Sequence, residues 1–387
     1  MNTMNLTLGK KSKVRFDSVV SNLHETIKQD DVEGYGKYVG LENITPLDFR
    51  VRSWGNTEDG TSFNKLIKPG DTLFSKRRSY LRKVAFSDLK AICSGDILVF
   101  HPKDESLLPE LLPHIVSTKA FYRRAIFTSA GSLSPRTSWK DLADYEFLLP
   151  AMTDQVKIAN ILQMFENNLE KGYLLIQALN NLRDSIIAER FDNTSRNSIR
   201  TTLGNLFALN NQKLGDYDSE PDIFSISKHD GIVLADNYFN FRVASKALAG
   251  YKVLGPNDWA YSTIHIDEGS IARNNSSLTG VVSPMYTTLS WTGVDAIPEY
   301  LEILLKSKVA IDKYLSNSQG SLNRRRSLSF QRFSSIEFAL PPISEQLALV
   351  ELIKQIDSSK ISLEQELKSL KMTEIAFSSR IFDVDEI

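Results

Sequence analysis

The sequence predicts an α+β protein in which two similar mixed α/β domains are separated by two long helices that pair with one another. Three observations lead there. First, the decapeptide EFLLPAMTDQ at 146–155 returns as EFALPPISEQ at 337–346, with Glu, Phe, Leu, Pro and Gln at matching positions. Second, the match extends without a gap from Glu146–Asp192 to Glu337–Asp383, and upstream from 109–136 to 298–325, the latter stretch sharing Pro, Glu, Leu, Lys, Ser, Gly, Ser, Leu and Arg. Third, each decapeptide opens a run of about forty residues without proline. A repeat this long is no solenoid unit. It marks one domain and one helical appendage present twice, in a 387-residue chain long enough for two or three domains.

The boundaries that follow are 1–150 for the first domain, 151–192 for the first long helix, 193–341 for the second domain and 342–387 for the second helix. Within the domains, KPGDTLFS (68–75), CSGDILVF (93–100) and LTGVVSPMYTTLSW (278–291) read as turns and short strands. A helical stretch at about 109–127, and again at about 298–316, precedes a Ser-x-Gly-Ser-Leu loop in each copy. NTSRNSIR (193–200) is a polar junction.

For the appendages, Pro150 and Pro341-Pro342 end an extended stretch. Thr153 or Ser344 offers an N-cap oxygen, and Asp154 or Glu345 sets an acid where the helix dipole favours one. Apolar residues then recur on alternating four- and three-residue steps. They are Phe165, Leu169, Ile176, Leu179 and Ile186 in the first copy, with Gly172 as an interruption. In the second they are Ile356, Leu363, Leu367, Leu370, Phe377 and Ile381. So narrow a seam calls for a partner helix. An amphipathic helix lying on its own domain is the alternative.

Composition excludes several function classes. The chain is 42% hydrophobic and 24% charged, with no apolar run near the ~18 residues of a membrane helix. Lys10, Lys11, Lys13 and Arg15 are followed by no apolar h-region, so a secretory signal is not expected. Cys93 is the only cysteine, which rules out intramolecular disulfides and cysteine-rich zinc sites and fits a reducing cytoplasm. No catalytic residue, metal or cofactor is called for. There is no phosphate-binding GxxxxGK[ST] and no GxSxG elbow. Pro341-Pro342 lies between Leu and Ile, unlike the Asp/Asn-Pro-Pro-Tyr loop of adenine methyltransferases. Pro221-Asp222 has no companion Glu-x-Lys outside the helical Glu366-Leu-Lys368, and the five histidines lack ligand spacing.

Positive charge gathers instead. FSKRRSYLRK (74–83) joins Lys76, Arg77, Arg78, Arg82 and Lys83 with Tyr80; Lys119, Arg123, Arg124, Arg136 and Lys140 surround the first Gly-Ser-Leu loop. Lys306, Lys308, Lys313 and then Arg324, Arg325 and Arg326 surround the second, while Asp216, Asp218, Glu220 and Asp222 collect elsewhere. One such cluster could be a solvated face. Basic loops expected at equivalent places in both copies point to DNA binding, since arginine forks fit phosphates and guanine edges. The net charge of −1 is low for a dedicated binder and is accommodated if partner subunits share the phosphate contacts.

Two variable domains, each followed by a proline-marked helix beginning at LPPISEQ (340–346) or LPAMTDQ (149–155) and preceded by a Gly-Ser-Leu loop, resemble the specificity (S) subunit of type I restriction-modification systems. The resemblance covers essentially the whole chain. It implies target-recognition domains that each read one half of a bipartite DNA sequence, and helices that pair as an antiparallel coiled coil. Those helices would set the half-site spacing and dock two methyltransferase subunits, with a motor-nuclease subunit joining them. The chain itself would be non-catalytic. The alternatives are a specificity subunit of a related non-type-I system and a coiled-coil scaffold that does not bind DNA.

Overall fold

The computed structural model describes residues 8–192, 197–215, 221–227, 231–235, 248–293, 295–319 and 327–384. They group into two units, one formed by residues up to Leu175 together with those from Leu363, the other by Ile176–Ser362. Among the described residues no helix is long and apolar enough to cross a membrane.

In the first unit the entering strand β1 (Ser12–Arg15) pairs antiparallel with the closing strand β10 (Glu146–Leu149), Arg15 opposite Glu146. A single turn, Phe16–Val19, leads into a four-stranded sheet ordered β2 (Val20–Leu23), β9 (Ile97–Pro102), β6 (Thr72–Ser75), β7 (Val84–Phe86). A second sheet is ordered β4 (Gly55–Asn56), β3 (Lys37–Val39), β8 (Ala91–Cys93), β5 (Lys65–Ile67). Side chains alternate across a strand. Phe74, Leu98 and Phe100 therefore face one core, which also holds Phe16, Phe121 and Phe147, while Leu73, Ile97 and Val99 face the other, with Val39, Ile67 and Cys93. Burial on both faces is why ILVF reads as an unbroken apolar run. Phe16 sits at the centre, its ring 5.2 Å from Phe121 and 5.3 Å from Phe100.

The second unit repeats the plan. β11 (Ile199–Thr202) pairs with β20 (Glu337–Leu340), Thr202 opposite Glu337, and the turn Leu203–Leu206 follows. Its four-stranded sheet is ordered β12 (Phe207–Asn210), β19 (Tyr286–Trp291), β16 (Trp259–Ser262), β17 (Ile271–Arg273). Two hairpin-like pairs complete it, β13 (Phe224–Ser227) with β14 (Gly231–Leu234) and β15 (Lys252–Leu254) with β18 (Gly280–Val282). Phe207, Trp259, Tyr261, Tyr314 and Phe333 form its aromatic centre.

The expected helical stretches before the Gly-Ser-Leu loops are each broken in two. Leu112–Ile115 is followed by Lys119–Phe127, and Pro298–Leu305 by Lys308–Asn317. The break has a local cause, because Thr118 and Ser307 cap the second segments, their hydroxyls accepting from the N–H groups of Phe121 and Ala310.

The long helices run over Met152–Asp192 and Ile343–Phe382, 41 and 40 residues or about 60 Å each. They begin one residue before the expected caps, so Thr153 and Ser344 lie inside the first turn. The carbonyls of Ala151 and Pro342 accept the first helical bonds instead. A glutamine in the first turn ties each helix start to its own domain. Gln155 is fully buried, donates to the carbonyls of Ser106 (2.7 Å) and Pro150 (3.0 Å), and accepts from Leu108 N–H (3.0 Å). Gln346 does the same in the second unit with Asp295 O (2.9 Å), Pro341 O (2.8 Å) and Ile297 N–H (3.0 Å). This clamp is the physical content of the glutamine that closes both decapeptides.

Within each unit the two helices pack antiparallel. In the first, Phe165 meets Phe377 with ring centroids 6.2 Å apart, Glu166 meets Lys371, and Gly172 meets Leu367. In the second, Arg183 meets Asp357 at 2.9 Å. Leu169, Ile356, Leu367 and Ile381 are buried; Phe165, Ile176, Leu179, Ile186, Leu363, Leu370 and Phe377 are half-buried, and none of the seam residues is fully exposed. Gly172 does not weaken the pairing. A Cβ there would come within 2.3 Å of the Leu367 side chain, which fills the space that glycine leaves and would have to shift.

Candidate nucleic-acid interface

In the first unit the basic run after β6 and the Gly-Ser-Leu loop, 55 residues apart in sequence, are laced into one surface. Ser75 N–H bonds Lys83 O, Lys76 N–H bonds Asp96 O, and Thr137 N–H bonds Lys76 O at 3.0 Å. Ala130 and Arg136 exchange both backbone bonds (3.0 and 2.9 Å), closing a hairpin over residues 131–135, and Arg78 N–H bonds Pro135 O at 2.7 Å. That last bond holds Arg78 at φ 53°, in the left-handed region that costs a non-glycine residue about 1 kcal/mol or more.

The side chains then sort by what they touch. Arg136 forms a two-pronged pair with Asp96 (3.0 and 3.2 Å), and Arg77 reaches the same carboxylate at 3.6 Å while donating to Ser134 Oγ. The Arg136 guanidinium holds the Asp96 carboxyl below the usual carboxylate range. Arg78 is exposed with no ion-pair partner among the described residues, and Lys76 is half-exposed beside it. The remaining two are drawn into their own fold, for Arg82 lies over the Tyr122 ring at 5.4 Å and Lys83 donates to Leu41 O. Arg124 pairs with Asp144. Around these cations stand apolar side chains, Leu133 at the hairpin tip (91% exposed) and Phe127 at the end of its helix (86%).

Most of this backbone frame recurs in the second unit, except that His265, at the place of Arg78, has φ −130° and bonds Ser262 O. Ser262 N–H bonds Ser270 O, Leu328 N–H bonds Thr263 O, and Gln319 and Ser327 exchange both backbone bonds. Its side chains differ. Thr263, Ile264, His265 and Ser270 stand where the first unit has Lys76, Arg77, Arg78 and Lys83, and Gly269 (φ 84°) replaces Arg82 (φ 52°). Met285 takes the place of Asp96, as Tyr286 N–H bonds Ser283 O just as Ile97 N–H bonds Ser94 O. The basic run 74–83 therefore has no basic counterpart, contrary to the expectation of basic loops at equivalent places. Arg324, Arg325 and Arg326 lie outside the described residues.

Beneath both faces lies a shared support that sequence reasoning missed. Lys65 and Lys252, whose ammonium groups burial makes less basic, donate to the carbonyls of Ile97 and Tyr286, the first residues of β9 and β19. Asp71 Oδ2 accepts from Lys68 N–H (2.7 Å), and Asp258 Oδ2 from Gly255 N–H (3.0 Å). Their other oxygens meet His101 and Ser290, both within 3 Å. The signal was present as Lys-x-x-x-Pro-x-Asp at 65–71 and 252–258.

Residues 20–180, the span that carries the laced basic surface, match the family described as type I restriction modification DNA specificity domain. Among solved structures the chain is similar to one from work on complex assembly and conformational transition of the type I R-M system. That likeness has TM-score 0.61 and 17% identity, over 97% of this chain and 98% of the other. The HsdS subunit from Thermoanaerobacter tengcongensis is also similar (TM-score 0.47, 18% identity, all of both chains). So is the type I restriction-modification S subunit from M. genitalium (TM-score 0.49, 15% identity, 98% of both chains). No curated protein sequence matches. Residues 20–180 thus carry a type I restriction modification DNA specificity domain, and the fold of the whole chain is that of the first of these structures.

Proposed function

We propose that the chain binds one bipartite site on duplex DNA, each unit reading one half. In this reading it brings two methyltransferase subunits and a motor-nuclease subunit to that site, with the long helices as spacer and docking element. Division into 1–150, 151–192, 193–341 and 342–387 follows the same reading. One observation carries it: the two units share most of one backbone frame and set different side chains on it. A shared fold needs no such divergence, whereas two readers of unlike half-sequences do, because sequence is read by side chains at base edges. Arg78, Lys76 and the Arg77–Asp96–Arg136 cluster supply the cations of the first face; Arg324, Arg325 and Arg326 are the basic candidates of the second.

The test is the map of methylated adenines in DNA from cells with and without this chain, repeated after exchange of residues 1–148 for the same segment of a relative. A methylated motif that depends on the chain, with one half altered by the exchange and the other kept, is expected. Loss of neither motif nor methylation on deletion, or a change in both halves on exchange, refutes the reading.

A further inference from the structure

Where the first unit gathers Arg77, Asp96 and Arg136, the second has a cleft of about 310 Å³. Ile264 and Met285, the positional counterparts of Arg77 and Asp96, line it with Phe224, Tyr286, Ser283 and His265. No Lys, Arg, Asp or Glu is among its described lining residues. Met285 is 64% exposed and Ile264 is 38% exposed, both unusual for large apolar side chains unless something covers them. His265, at the rim, bonds Glu268 at 3.2 Å.

We propose that this cleft reads an A·T pair by taking the thymine C5-methyl group between Ile264 and Met285. The proposal rests on the reading of each unit as a DNA-binding face. Its chemistry follows from what a base edge offers. In the major groove guanine presents two acceptors that suit a guanidinium, cytosine and adenine present amino donors, and thymine alone adds a methyl group. Ile264 and Met285 can neither donate nor accept a useful hydrogen bond. Opposite a phosphate or a guanine edge they would strip water from a polar group and return nothing. Opposite a thymine methyl they exclude water from an apolar group, with the Ser283 hydroxyl at the margin for the neighbouring polar edge. The unlike chemistry of the two faces then assigns unlike targets, with a methyl-bearing pair in the half read by the second unit and a cation-read edge in the half read by the first.

The experiment uses the chain assembled with its methyltransferase subunits and duplexes carrying the mapped target. Each thymine of the half assigned to the second unit is replaced in turn by deoxyuridine, which removes only the methyl. At one position binding is expected to weaken about fourfold, the effect of one methyl-sized apolar group. Met285→Ala and Ile264→Ala, both at exposed positions, are expected to bind the thymine and uracil duplexes nearly alike. A half-site with no thymine, no position sensitive to the methyl, or full thymine preference kept in both variants overturns the proposal. Arg78→Ala is measured alongside. If it weakens binding while the thymine arm fails, only the cleft assignment falls; if neither arm has an effect, the DNA-binding reading itself falls.

Discussion

Lys371→Ala is expected to destabilise the first unit far more than Arg183→Ala destabilises the second, although both cations pair with equivalent acids of the duplicated helices. Glu166 and Asp357 are equivalent positions in the repeat. In the first unit Lys371 reaches Glu166 at 3.0 Å and Glu374 at 2.9 Å and lies 3.5 Å above the Phe49 ring, while Glu374 also meets His114 at 3.1 Å. Glu374 is fully buried and Lys371 is 6% exposed. In the second unit Arg183 and Asp357 are 32% and 45% exposed. Removing one partner of a buried ionic group leaves the other charge stranded and costs about 3–5 kcal/mol. Removing an exposed partner costs about 0–1 kcal/mol. At about 2–4 °C per kcal/mol for a folding unit of this size, Lys371→Ala should lower Tm by roughly 6–20 °C, and Arg183→Ala by less than about 4 °C. Circular dichroism on heating, with urea titrations to confirm the order, measures both. A triple change of Lys371→Met, Glu166→Leu and Glu374→Leu should recover most of the loss, because the ammonium and both carboxylates are then removed together. Equal shifts for the two single variants would refute the burial argument.

The same cluster sets a pH dependence. Burial alone would push the Glu374 carboxyl up, but His114 and Lys371 outweigh it and bring it from 4.5 down to about 2. Its contribution to stability is complete above pH 4.5 and is lost as pH falls toward about 2, so Glu374→Gln should flatten that limb of a urea-midpoint profile. Gln346→Ala leaves two carbonyls and one N–H unpartnered at a buried helix start and should cost about 2–4 kcal/mol, read as faster hydrogen exchange at Ile297 and a lower urea midpoint. Four residues inserted after Lys171 add about 6 Å while nearly keeping the seam's face. The gap between methylated half-sequences should lengthen by about one or two base pairs, whereas two inserted residues rotate the seam by about 200° and should block assembly.

Much of the fold was legible because periodicity and repetition act at long range. The seam positions from Phe165 to Phe377 could be read from spacing alone, and their burial follows. Gly172 was legible only as a defect, since nothing in sequence shows that the Leu367 side chain fills the space where its Cβ would stand. The opening strand–turn–strand of each unit escaped notice as a repeat. RFDSVVSNL and TLGNLFALN share almost no residues, and packing asks only for apolar groups at Phe16 and Leu203, Val19 and Leu206, Val20 and Phe207. The candidate site was half legible. Cations that cluster in sequence were found, but whether a cation faces solvent, as Arg78 does, or lies over its own fold, as Arg82 does, depends on contacts made across the chain. FRVRS at 49–53 and FRVAS at 241–245 form a further repeat. In the first, Phe49 packs against His114 and Lys371, a use that the pentapeptide does not announce; the second lies outside the described residues.

The buried Lys65 and half-buried Lys252, the Asp71 and Asp258 turns, and the Gln155 and Gln346 clamps all hold backbone, and none stands on the surface proposed to meet DNA. Folding instructions and target address are thus written in separate sets of residues. Substitutions at positions 76–78 or 263–265 can accumulate without testing the scaffold, so a lineage can change which DNA it recognises through intermediates that all remain folded. With the partners proposed above, each such change would redirect methylation and cleavage together, and no intermediate would have to cut a sequence that it has stopped protecting.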